Sequence, residues 1–292
     1  MKKFIINLFC LALLSSIILK TENINALVPF YYLPTIKNLE KESISIGKNA
    51  YQLLYFGQIK EGLALAKLAV KLNRYDEKLW LILSEAQMVN ELYDDALISL
   101  KKAEKINNQI SEIYFAKSSI YLKNSQLKEA KVALEKGLEI QPNNHNAIFQ
   151  LGNVYLIEKN FLMAIKQFDK AVNIQPNFWQ AINNIGLAYF EQDKITLSIK
   201  FFEKAISIEE NAEPMLGLAS CLQIKNINSA LQLAKQALIK DPNYVDYNYR
   251  KEQLWGEKLQ ISTEKLFSNN ELRINIKQAK LKINKPAHSK DW

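Results

Sequence analysis

The chain has 292 residues, 48% of them hydrophobic, with only 8 Gly and 7 Pro, a composition that supports a continuous core and excludes long flexible linkers. Its formal net charge is +8, with +2 on residues 1–26 and +4 on residues 268–292. The stretch between them therefore carries only +2 and lacks the broad basic footprint of a nucleic-acid binder.

In chain order, residues 1–26 read as an export segment. Lys2 and Lys3 precede an apolar run from Phe4 to Leu19, interrupted by Asn7 and two serines. A helix of that length spans roughly 24 Å, short of the ~30 Å hydrocarbon core, so it suits a signal peptide or an N-terminal anchor. Either form keeps the lysines cytoplasmic and puts the rest of the chain on the far side, in a periplasm or a thylakoid lumen. Ala26 offers a small residue for cleavage. Cys10 lies inside the run, which leaves Cys221 as the single cysteine beyond it and allows no internal disulfide. Residues 27–42 form a leading segment. Its Leu27–Pro34 portion is apolar, aromatic and bracketed by prolines, and is expected to be extended and covered.

From Ser43 to Asp246 a 34-residue period takes over. Gly62, Ala96, Ala130, Ala164, Ser198 and Ala230 make one small-residue column; Ala69, Ala103, Gly137, Ala171, Ala205 and Ala237 make a second, seven positions on. A fixed period of this length signals stacked supersecondary units, none of which buries its apolar face alone. The units fall at 43–76, 77–110, 111–144, 145–178, 179–212 and 213–246, and are expected in register without insertions. Each reads as two helices. In the fourth, His145 to Ile157 has apolar residues at helical spacing, Lys159-Asn160 breaks the pattern, and Phe161 to Ile174 resumes it until Pro176. Pro142 and Pro242 end other units. The small columns predict close approach of neighbouring helix axes, as do Gly152 and Gly186 on the first helices, with Ala50, Ser84 and Ser118 at the same offset. Ile59, Tyr93, Leu127, Phe161, Ile195 and Ile227 are the large residues near each turn.

These residues resemble the tetratricopeptide repeat. Ile148, Leu151-Gly152, Tyr155, Ala164, Phe168, Ala171 and Pro176 match nearly all of its hallmark, and Ile185-Gly186, Tyr189, Phe202 and Ala205 match it closely. Trp80, Leu83, Ala96, Leu100 and Ala103 mark the second unit; the first unit and the first helix of the sixth are degenerate. The resemblance implies an all-α, right-handed superhelical solenoid of six helix pairs. Both ends of such an array need cover. Residues 247–268, with Tyr249, Leu254, Trp255, Leu259 and Leu266 at roughly helical spacing, read as a C-terminal capping helix. Residues 269–292 read as a basic disordered tail suited to an anionic membrane surface.

The resemblance also implies a concave groove lined by the first helices. Its positions are Leu81, Glu85 and Met88; Phe115, Ser119 and Leu122; Phe149, Asn153 and Leu156; and Asn183, Leu187 and Phe190. That surface is mainly apolar and suits an apolar or amphipathic protein segment as partner. It lacks the Lys, Asn and Arg set with which family members clasp a carboxylate end: Gly47, Tyr51, Leu81, Glu85, Phe115 and Ser119 stand there, and only Asn153 fits. The chain's own Phe30-Tyr31-Tyr32 is a rival occupant.

No catalytic, cofactor-binding or metal constellation is present in the sequence. The glycines, at 47, 57, 62, 137, 152, 186, 217 and 256, never cluster into a phosphate loop, and His145 and His288 stand far apart. Asp94-Asp95 and Glu209-Glu210 read as solvated turn residues. The expected function is a non-enzymatic, exported scaffold for assembly of a membrane protein complex. Leu27–Pro34 and Glu252–Gly256 look like cyanobacterial and plastid proteins of this family, some of which support photosystem assembly. A periplasmic envelope or pilus scaffold is the alternative, and an RNA-binding helical repeat is disfavoured by the period and the apolar groove.

Overall fold

The computed structural model describes residues 35–284. The export segment, Leu27–Pro34 with its aromatic triplet, and Lys285 and Lys290 lie outside the described residues.

Six consecutive helix pairs make up the array: α1 (Ile36–Tyr55) with α2 (Ile59–Leu72), α3 (Glu77–Val89) with α4 (Tyr93–Ile106), α5 (Ser111–Lys123) with α6 (Leu127–Ile140), α7 (His145–Ile157) with α8 (Phe161–Ile174), α9 (Trp179–Glu191) with α10 (Ile195–Ile208), and α11 (Ala212–Leu222) with α12 (Ile227–Lys240). Partners within a pair pack together, and each second helix also packs on the first helix of the next pair. The fold among the described residues is all-helical. α1 is longer than the other first helices and begins at Ile36, where the Thr35 side chain caps it, so residues 36–42 of the leading segment are already helical.

The turn inside each of the first five pairs has one local cause. Gly57, Glu91, Ser125, Lys159 and Asp193 recur every 34 residues with φ of 76°, 59°, 59°, 58° and 60°. After each, an amide reaches back to close the helix end: Gln58 N–H to the Leu53 carbonyl, Leu92 to Gln87, Gln126 to Tyr121, Asn160 to Tyr155, Lys194 to Tyr189, at 2.8–3.0 Å. Such a left-handed cap satisfies carbonyls that the helix would leave open. Only the first unit places a glycine there. At the opposite boundary, α6, α8 and α12 stop two residues before Pro142, Pro176 and Pro242.

The small columns do what their spacing implies. Ala96, Ala130, Ala164, Ser198 and Ala230 are all fully buried, as are Ala103, Ala171, Ala205 and Ala237. Phe202 shows why glycine is needed opposite large rings. A Cβ on Gly186 would lie 2.9 Å from Phe202 Cδ1, and one on Gly217 would lie 2.7 Å from its Cζ. The ring is therefore gripped between the first helices of the fifth and sixth pairs.

The register differs from expectation in the sixth unit. Ala230 and Ala237 follow Ser198 and Ala205 by 32 residues, two short of the period, because α11 has 11 residues where α9 has 13. Cys221 on α11 is free and buried, with its thiol pushed up to about 12 by desolvation.

Beyond the array the chain folds differently from a single cap and a loose tail. A 3-10 turn (Pro242–Val245) leads to α13 (Tyr247–Glu252), α14 (Glu257–Phe267), a second 3-10 turn (Asn270–Leu272) and α15 (Arg273–Ile283). The expected helix over 247–268 is interrupted because Leu254 takes φ 65° and Trp255 turns inward, its indole N–H donating to Glu213 Oε1 at 3.1 Å. Gly256 then passes so close to Glu191 that a Cβ would lie 2.2 Å from its Cδ. Residues 270–283 of the presumed tail are helical because they have a face to bury: Ala279 packs with Leu238 and Val245, flanked by Phe267, Ile276 and Ile283. The centre of this C-terminal segment is Arg250, fully buried, donating to Gln260 Oε1 and the Tyr244 carbonyl at 2.8 Å each and paired with Glu264.

Candidate functional site

The first helices of the array present one common face, and α14 lies across two of them, α9 and α11. Its N-terminal amides are capped from α9: Leu259 N–H and Lys258 N–H donate to the two Glu191 carboxylate oxygens at 3.0 and 3.3 Å. Further along, Ser220 and Thr263 share a hydrogen bond of 2.7 Å, and Gln223 donates to Ser262. The common face is thus covered at the C-terminal end of the array.

Where the cover ends, a cleft of about 690 Å³ opens. One wall comes from the array: Leu122 of α5, Ser125 of the following turn, Leu127 at the start of α6, Phe149, Asn153 and Ile157 of α7, and Trp179, Gln180 and Asn184 of α9. The other wall comes mostly from beyond the last repeat helix: Asp241, Tyr244, Tyr249, Glu252, Gln253 and Leu254, with Asn211 and Glu213 at the start of the sixth pair. The Phe149 ring is held by Phe178 and Phe168, at 4.9 and 5.6 Å between centroids.

Polar side chains link three first helices behind the cleft. Asn184 donates to Asn153 Oδ1 at 2.9 Å and accepts from Asn183 Nδ2 at 3.1 Å. Asn183 is fully buried and its Oδ1 has no partner. Beside it lies Glu213, whose carboxyl burial pushes up to about 7, against the pull of Trp255, Asn183 and Tyr244. Burial likewise raises the Tyr244 hydroxyl. Among the lining residues there is no Lys, Arg or His; the array wall sets apolar and aromatic side chains beside the amides of Asn153, Gln180 and Asn184, and the carboxylates lie on the other side.

Of the twelve groove positions expected from sequence, Leu122, Phe149 and Asn153 line the cleft. Asn183, Leu187 and Phe190 are buried at 0%, 1% and 6% exposure because α14 covers α9; they belong to the core, as does Leu156. Phe115 turns toward its own pair: a Cβ on Gly137 would lie 2.4 Å from its ring. Ser119 spends its hydroxyl on the Phe115 carbonyl at 3.1 Å. Leu81 and Met88 pack against the Leu100–Ile120 cluster. Glu85 remains exposed, with its carboxyl raised by partial desolvation. The far wall escaped sequence reasoning. Its one signal was the density of aromatics, Tyr244, Tyr247, Tyr249 and Trp255, just past the last repeat helix.

Among the described residues no helix is long and apolar enough to cross a membrane, and no group of three or more His, Cys, Asp or Glu is placed to hold a metal ion. A tetratricopeptide-repeat family model matches residues 111–144, 145–178 and 180–211. Comparison with the curated proteins gives no match. Among solved structures, the MamA protein is similar at 25% identity, covering 60% of this chain and 93% of its own, with a TM-score of 0.54. YrrB, described as a tetratricopeptide-repeat protein with an unusual peptide-binding site, is similar at 20% identity over 66% of this chain and 98% of its own, with a TM-score of 0.52. PilW, a type IV pilus biogenesis factor, is similar at 18% identity over 75% of this chain and 97% of its own, with a TM-score of 0.60.

Proposed function

Since the chain is a tetratricopeptide-repeat protein, we propose that it is an interaction scaffold whose cleft takes a segment of a protein partner. The single observation that carries this is the cleft itself, a concave space of about 690 Å³ with an apolar, aromatic array wall. An extended or helical segment gains there by burying its own apolar side chains, in the manner of peptide grooves generally. The partner belongs to a membrane protein complex met on the non-cytoplasmic side. The apolar run from Phe4 to Leu19 behind Lys2 and Lys3 supports that placement. Assembly of such a complex, a photosystem or an envelope or pilus structure, is the role that fits an exported scaffold with a segment-sized cleft.

A photo-crosslinking residue placed in the full chain tests the site in its native membranes. Positions Ile157 and Gln180 line the cleft. Val132 and Leu162 sit on second helices, with 64% and 78% exposure. A protein adduct is expected from the first two positions and not from the second two. Adducts confined to the second two, or none from any, would overturn the assignment.

A further inference from the structure

This inference deepens the reading of the cleft as a segment-binding site and rests on it: it concerns the chemistry of the segment. The two walls differ in kind. The array wall is apolar and aromatic around Phe149 and Trp179 and otherwise carries only uncharged polar groups. On the opposite wall, Asp241 and Glu252 bring two carboxylates beside two tyrosine rings. Tyr244 and Tyr249 stand edge to face, with centroids 5.1 Å apart and planes at 90°. The Tyr249 hydroxyl donates to Asp241 Oδ2 at 3.1 Å, which fixes that ring against the carboxylate, while Asp241 Oδ1 accepts from the Asn243 amide at 2.9 Å. Glu252 is exposed. With no Lys, Arg or His lining the cleft, nothing neutralises this wall from within.

Carboxylates attract a guanidinium or ammonium, and the half-buried Tyr249 ring, backed by the buried Tyr244, attracts it again through its quadrupole. An anion gains from neither and is repelled by the carboxylates. A neutral apolar segment would cover the array wall yet leave Glu252 desolvated without a partner, which costs free energy. Complementarity across an interface selects partners in this way. We propose that the C-terminal wall is a seat for a Lys or Arg side chain of the bound segment, whose neighbouring apolar residue lies on Phe149 and Trp179. The partner is thus a basic, apolar stretch of another protein. Because Asp241, Tyr244, Tyr249 and Glu252 all follow the last repeat helix, the selectivity is an addition to the array rather than a property of its repeats.

Three labelled peptides of about ten residues, alternating Leu with Arg, Leu with Gln or Leu with Glu, separate the possibilities by fluorescence anisotropy on the full chain at about 0.15 M salt. The Leu–Arg peptide is expected to bind at least tenfold tighter than Leu–Glu, with Leu–Gln between them. Glu252→Lys is expected to weaken Leu–Arg about tenfold and to reverse the order of the Leu–Arg and Leu–Glu peptides. Glu135→Lys, on the second helix α6, is expected to change neither. Equal binding of all three peptides would overturn the cation seat and leave the cleft reading standing. Binding of none would remove both. Loss of Leu–Arg binding in Glu135→Lys as strongly as in Glu252→Lys would reduce the effect to general charge and overturn the seat. Tight Leu–Arg binding only after residues 285–292 are removed would show the chain's own basic end to be the occupant, again overturning a partner segment.

Discussion

Glu213→Gln probes the most unusual group in the molecule. The residue is 8% exposed, and burial pushes its carboxyl up to about 7, against an ordinary 4.5. The folded state therefore holds the proton more tightly than the unfolded chain does. The stability linked to that proton is present in full below the unfolded value, falls as pH rises between the two, and is lost above the folded one. A gap of roughly 2.5 units at 1.36 kcal/mol each is about 3 kcal/mol. Glutamine keeps an acceptor for the Trp255 indole and places an N–H beside Asn183, whose Oδ1 has no partner. It does not titrate. The variant should match the parent near pH 4.5 and exceed it by about 3 kcal/mol at about pH 8. Taking the difference between the two proteins cancels every other titrating group, including Glu104, whose carboxyl Lys117 and Lys136 pull down despite its partial desolvation. Repeat arrays open in parts, so the measurement should be local. Native-state hydrogen exchange of α11 and α14 reports the opening free energy of the elements that enclose Glu213. A parent–variant difference that stays constant from pH 4.5 to 8 would refute the argument.

Two further substitutions follow from the backbone and the core. Glu91, Ser125, Lys159 and Asp193, all with φ near +60°, pay the left-handed penalty that Gly57 avoids. Glycine at each should stabilise by about 0.5–1 kcal/mol after its greater freedom in the unfolded chain is subtracted; calorimetry of the fourfold variant should show a higher melting temperature, and an unchanged or lower one would contradict the cap assignment. Gly186→Ala should cost about 1–3 kcal/mol, because Gly217 leaves Phe202 no room to retreat. Phe202→Leu in the same chain should recover part of that loss, and a strictly additive double mutant in urea unfolding would show that the ring is not the obstacle.

The helices of the fourth pair were legible to the residue: α7 and α8 begin and end where periodicity and Pro176 place them. They were legible because their cause is local, a small residue where axes approach and a proline where the helix stops. The shortened sixth unit was harder, since two missing residues in α11 leave both small columns populated and merely closer together. The left-handed caps at Glu91, Ser125, Lys159 and Asp193 gave no compositional signal because four unlike residues occupy one backbone state. Past Pro242 no period constrains the chain, and its structure depends on partners far away in sequence, such as Trp255 on Glu213 and Leu259 on Glu191. A first-helix stripe such as Asn183, Leu187 and Phe190 is identical in pattern whether solvent, a partner or the chain's own α14 covers it. Here α14 covers it, and that fact shapes the site. A tetratricopeptide array by itself offers a long, repetitive face with no reason to bind at one place. Folding the C-terminal segment back over the fifth and sixth pairs ends that face at a wall carrying Tyr249 and Glu252, with Phe149 and Trp179 opposite. The repeats supply the trough, and the non-repetitive end determines where along it, and with what charge, a segment is held.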